Sequence, residues 1–90
     1  MLTAFVLINT QPSEISAVAQ KVANLANVSE VYSVAGDTDI IAIVRLENYD
    51  DLDLAVPEAL AKIPGIIRTR TTIAFRRFAA KDLAWDVGGE

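Results

Sequence analysis

The eight residues Thr3-Ala4-Phe5-Val6-Leu7-Ile8-Asn9-Thr10 decide how this chain folds. Phe5, Leu7 and Asn9 alternate with Ala4, Val6 and Ile8, which gives the run the length and side-chain period of a strand. Both of its faces are nevertheless apolar. Ile40-Ile41-Ala42-Ile43-Val44-Arg45-Leu46 repeats the pattern, again apolar on both faces at its centre. An antiparallel strand with one face in water alternates apolar and polar residues. These two do not, so they predict cover on both sides of the sheet that holds them.

Outward from the first strand, Gln11-Pro12 breaks the run and Ser13 suits the N-cap of a helix. Ile15, Val18, Ala19, Val22, Leu25 and Ala26 then fall on one helical face, and the helix is expected to end near Asn27. A second strand is predicted at about Val28 to Ala35, followed by the turn Gly36-Asp37-Thr38 and the third strand from Asp39. Asp50, Asp51 and Asp53 announce a second helix by their affinity for caps and for the positive helix N-terminus. Leu52, Ala55, Val56, Ala59, Leu60 and Ile63 form its buried stripe. Pro57 interrupts that stripe and predicts a kink or a later start, because a proline past the first turn costs roughly 3 kcal/mol. Pro64-Gly65 stops the helix, and a long Thr- and Arg-rich strand is predicted at about Ile66 to Phe78.

The order is βαββαβ, which right-handed crossovers convert into a ferredoxin-like α+β fold: a four-stranded antiparallel sheet with two helices on one face. The other face, carrying the surplus apolar residues of strands one and three, is then expected to pack on a second copy across a two-fold axis, a dimeric α+β barrel or sandwich. Residues 1–78 are read as the domain. Residues 79–90 are read as a tail whose Trp85, with Leu83 and Val87, either docks on a neighbouring surface or frays.

Composition agrees and excludes much. The chain has 90 residues, 52% of them hydrophobic, with mean hydropathy +0.33. A single domain of this size buries only roughly 60–65% of its unfolded surface. No apolar run approaches the roughly 20 residues of a membrane span, and no basic leader precedes the first strand. A cytoplasmic protein that does not engage membranes is expected. With no cysteine and no histidine, thiol chemistry, the usual general base and the commonest metal ligands are missing. No metal and no cofactor are expected. The net charge of −4 argues against duplex nucleic acid, whose affinity rests on phosphate neutralisation.

Val34-Ala35-Gly36-Asp37-Thr38-Asp39 is the most informative local feature. It reads either as a plain hairpin turn, with Gly36 at positive φ and Asp37 capping its own loop, or as a tight loop offering amides and carboxylates to a small metabolite. Two carboxylates at this spacing do not make an EF-hand. The βαββαβ order, the turn Val34-x-Gly36-x-x-Asp39, the helix end Leu60-Ala61-Lys62-Ile63-Pro64-Gly65 and the following Arg68-Thr69-Arg70-Thr71 together resemble the effector-binding RAM domain of Lrp/AsnC transcriptional regulators, over about residues 2–78. The resemblance implies face-to-face dimers, further assembly into tetramers or octamers, and amino acids or related effectors bound between subunits. It implies effector contacts from Gly36, Asp37 and Asp39 in the turn and from Thr69, Thr71 and Thr72 in strand four. Full-length members carry an N-terminal helix-turn-helix. Here Met1 leads straight into the first strand, so a stand-alone RAM domain is expected, one that senses a metabolite, joins a full-length paralogue, or does both, without touching DNA.

Other groups have plainer readings. Arg68, Arg70, Arg76, Arg77 and Lys81 form either a basic strip for an anion or charges that protect an edge strand and pair with the acidic stretch 37–58. Thr69, Thr71 and Thr72 also favour a strand on their own account, and Thr69 and Thr71 share a face with Ile67, Ile73 and Phe75. Asp50, Asp51 and Asp53 read as capping and solvated residues, and Tyr32 and Tyr49 as packing or interface residues rather than catalysts. The leading function is a non-enzymatic amino-acid-binding and oligomerisation module with no catalytic residues. The competing readings are an ACT-like amino-acid sensor and a small dimeric α+β barrel enzyme of monooxygenase or isomerase type.

Overall fold

The computed structural model describes residues 1–52 and 54–80. Lys81, Asp53 and the tail around Trp85 lie outside the described residues. Four strands, β1 (Leu2–Thr10), β2 (Val28–Ser33), β3 (Ile40–Leu46) and β4 (Ile66–Ile73), form one sheet. Its order is β2-β3-β1-β4 with every pairing antiparallel. This is the ferredoxin-like arrangement expected from the element order.

The register assigns every strand residue to a face. Ala4, Val6 and Ile8 on β1 and Ile40, Ala42, Val44 and Leu46 on β3 are each at most 2% exposed. They meet Val18 and Val22 of α1 (Ile15–Ala23) and Val56 and Leu60 of the second helical segment in one core. Phe5 stands opposite Ile43, and Leu7 opposite Ile41, on the other face. None of these four is packed against the helix-side core. Phe5 remains 37% exposed in the single chain.

Several boundaries differ from the sequence reading. The first helix is preceded by a 3-10 turn, Pro12–Glu14, and no side chain caps it, so Ser13 is not its N-cap. It ends at Ala23, short of Asn27, because the chain must turn back for Arg45 to donate to the Asn27 carbonyl at 2.9 Å where β2 begins. The second helical segment comprises a 3-10 turn, Tyr49–Asp51, and a π-helical turn, Leu54–Glu58, that contains Pro57. The wider π turn accommodates a residue with no N–H to donate. Asp50 and Asp51 lie in its first turn without a side-chain cap bond. β2 stops at Ser33, and β4 at Ile73 rather than Phe78. The reason at β4 is the length of its neighbour: Ala74 still donates to Thr3 at 2.9 Å, and β1 starts at Leu2. No described helix is long and apolar enough to cross a membrane.

Candidate functional site

The turn between β2 and β3 is tied to the end of β1. Gly36 has φ +133°, on the side of the map that glycine tolerates best. Asn9 donates its side-chain N–H to the Asp37 carbonyl at 2.7 Å. Thr10 donates its backbone N–H to a carboxylate oxygen of Asp39 at 3.0 Å. The Asp39 N–H returns to the Ile8 carbonyl at 3.1 Å, and Val34 donates to the Asp39 carbonyl at 3.0 Å. Asp37 makes its contact through the carbonyl and not through a side-chain cap of its own loop as the plain turn reading expected, while the Asp39 carboxylate accepts from Thr10 on β1. Thr38 is buried between them. The result is a fixed loop that keeps Gly36 and the Asp37 side chain in solvent.

The threonines are divided. Thr69 and Thr71 stand opposite Ile8 and Val6 on the helix side of β4, whereas Thr72 stands opposite Phe5 on the open face with Arg68 and Arg70. Thr69 lines a groove of about 290 Å³ with Pro57, Leu60, Ile63 and Ile67, so an apolar setting for it exists. Within one chain, the turn and the three threonines do not converge on a single pocket. The turn and the start of β4 do share one end of the sheet, because Arg68 pairs with Asn9 across β1.

The sequence reading missed Asn9 and Thr10. Their contacts to the turn span 28 and 29 residues, and only the strand order brings them there. It also missed the pair on β2, where the Tyr32 hydroxyl donates to the Glu30 carboxylate. That hydrogen bond, and then the carboxylate charge, raise the phenol pKa above the ordinary tyrosine value. Among the described residues no group of three or more acidic, histidine or cysteine side chains is placed to hold a metal.

Residues 3–83 match the family model described as the Lrp/AsnC ligand binding domain. An uncharacterised HTH-type transcriptional regulator of Pyrococcus furiosus, PF0250, is 38% identical over 76 residues, 81% of this chain and 51% of that protein. The chain spans about half the length of the curated relatives it matches. The crystal structure of TTHA0845 from Thermus thermophilus superposes with TM-score 0.82 at 40% identity, covering 88% of this chain and 99% of that one. The transcriptional regulator NMB0573 from Neisseria meningitidis, solved as a complex with L-Met, shares the fold at 14% identity and TM-score 0.77, over 90% of this chain and 54% of that one.

Proposed function

The chain belongs to the Lrp/AsnC ligand binding domain family, and from that premise we propose that it is an amino-acid-binding module that dimerises through the open sheet face. Its relatives are named as transcriptional regulators, so a sensing role fits better than catalysis. The observation that carries the reading is the pinned Gly36–Asp39 turn. The Asp39 carboxylate accepts one hydrogen bond, from the Thr10 N–H, among the described residues. Its free acceptor capacity, with the Asp37 carboxylate, suits an ammonium group. Exposed turn amides and threonine hydroxyls suit a carboxylate. The pairing of opposite charges at short range is the signature of an α-amino acid, and L-Met in NMB0573 is a ligand of that class.

The ligand contacts proposed are Gly36, Asp37 and Asp39 with Thr69, Thr71 and Thr72. They are divided between the two faces of the sheet, so a pocket using all of them needs a second chain. The apolar open face, with Phe5, Leu7, Ile41 and Ile43, supplies the surface for one. Higher assembly, to tetramers or octamers or with a full-length DNA-binding paralogue, would carry the signal onward. The test is a thermal-denaturation series with each of the twenty amino acids. A ligand at 100 times its Kd adds about 2.7 kcal/mol, and Asp39→Ala or Thr71→Ala should remove the shift. No shift with any amino acid would overturn the proposal.

A further inference from the structure

The end of the open face farthest from the Gly36–Asp39 turn gathers positive charge. Phe5 and Ile43 stand opposite each other as its last apolar row, and the next residues on that face are Thr3 and Arg45. Arg45 donates its backbone N–H to the Asn27 carbonyl and Ala74 donates to the Thr3 carbonyl, each at 2.9 Å. These bonds fix Arg45 in β3 and keep the segment that follows β4 beside Thr3. In that segment the Arg76 guanidinium lies over the Phe78 ring, 4.9 Å from its centroid.

Thr3, Phe5, Arg45, Phe75, Arg76 and Arg77 are among the residues that line a hollow of about 460 Å³ at this end, a size that suits a small organic molecule. Three of the chain's eight basic residues thus share one hollow, and no acidic side chain lines it among the described residues, although the chain has twelve acids. Like charges gathered in this way repel one another, and an anion placed among them relieves the repulsion. Each guanidinium offers a planar fork that fits two oxygens of a phosphate or carboxylate. Phe75 is fully exposed in the single chain. It also lines a second hollow of about 510 Å³, with Ala74, Arg76 and Phe78, which shares three of its four lining residues with the first. Cationic forks beside uncovered aromatic rings suit a ligand with several negative charges and a flat ring.

We infer that this end of the sheet binds a nucleoside diphosphate or triphosphate, with Arg45 and Arg76 on the phosphates and the base stacked on Phe75. Three guanidinium groups match the several charges of such a phosphate chain, whereas an α-amino acid has no net charge to offer them. The site is separate from the amino-acid site proposed above. Thr3 and Asn9 lie near opposite ends of β1, about 20 Å apart at about 3.4 Å per residue. Every residue of the nucleotide site comes from one chain, and the hollow sits where an interface over Leu7, Ile41 and Ile43 would have its polar rim.

Titration calorimetry on the wild-type chain with ADP, ATP, adenosine and inorganic pyrophosphate tests the assignment. ADP and ATP should bind, adenosine at least about tenfold more weakly for want of charge, and pyrophosphate at least about fivefold more weakly for want of a base to stack. Arg45→Ala and Arg76→Ala should each weaken ADP by about tenfold or more, and Phe75→Ala should abolish the preference for ADP over pyrophosphate. Arg68→Ala removes an equal charge at the opposite end of the same face. At physiological ionic strength, where exposed charges beyond about 8 Å are largely screened, it should leave ADP affinity within about twofold. All four substituted side chains are exposed, and circular dichroism checks that each variant is folded. No binding of ADP or ATP overturns the proposal. So does a loss with Arg68→Ala as large as with Arg45→Ala, which would reduce the effect to net charge, and so does pyrophosphate binding as tightly as ADP, which would leave the rings without a role.

Discussion

Gly65 and Gly36 both hold positive φ, at +98° and +133°, yet their surroundings separate them. A Cβ built on Gly36 meets nothing within 4 Å, whereas one on Gly65 would lie 3.0 Å from Glu14 Cβ and 3.1 Å from Val18 Cγ2. The Gly65 carbonyl also accepts the Gln11 N–H at 2.9 Å, so the residue joins the end of the second helical segment to the start of α1. Gly36→Ala meets only the backbone preference, about 1–2 kcal/mol. Gly65→Ala adds overpacking against Val18, a buried core residue, and should cost about 2–4 kcal/mol in all. Urea denaturation of the two variants checks this. Equal losses would mean that the close approach to α1 carries no weight.

Neighbouring residues on β1 give the element-scale test. Ile8 is fully buried on the helix side, and Leu7 is half-buried on the open side opposite Ile41. Ile8→Ala should destabilise the folded chain by about 2–5 kcal/mol whatever its concentration. Leu7→Ala should leave the dilute chain nearly as stable and act on self-association, as chemical denaturation at two protein concentrations would reveal. The alternation in β1 and β3 was readable because a strand has a strict period of two, and the apolar residues left over from one face pointed to the second. Helix ends were less readable. Ser13 and the aspartates are good capping residues, but the 3-10 turns at Pro12–Glu14 and Tyr49–Asp51 put other residues at the entrances. Pro57 announced a disturbance without specifying its form, since a kink, a late start and a π turn all solve the same missing donor. β4 ends where β1 runs out of partners, a limit set by a segment at the opposite end of the chain. The candidate site divides likewise: Gly36 and Asp39 stand out locally, while Asn9 and Thr10 hold the turn only because β3 lies beside β1.

At the scale of the assembly, the proposed ligand site and the proposed interface are one thermodynamic system. The proposed ligand contacts lie on both faces of the sheet, so a pocket that combined them would form between chains and be absent from the monomer. A ligand that binds only the dimer must then tighten dimerisation by the same factor by which dimerisation tightens its own binding, typically about 5- to 150-fold. Two observables follow. The melting temperature of the wild type should rise with protein concentration, and Leu7→Lys, which places a charge among Phe5, Ile41 and Ile43, should abolish that dependence while the helix-side core stays intact. The amino acid that raises the wild-type melting temperature should lower the dimer dissociation constant in sedimentation experiments, and should give no shift with Leu7→Lys. An equal shift in Leu7→Lys would put the pocket inside one chain, with the Gly36–Asp39 turn and the β4 threonines acting separately and the coupling to assembly lost.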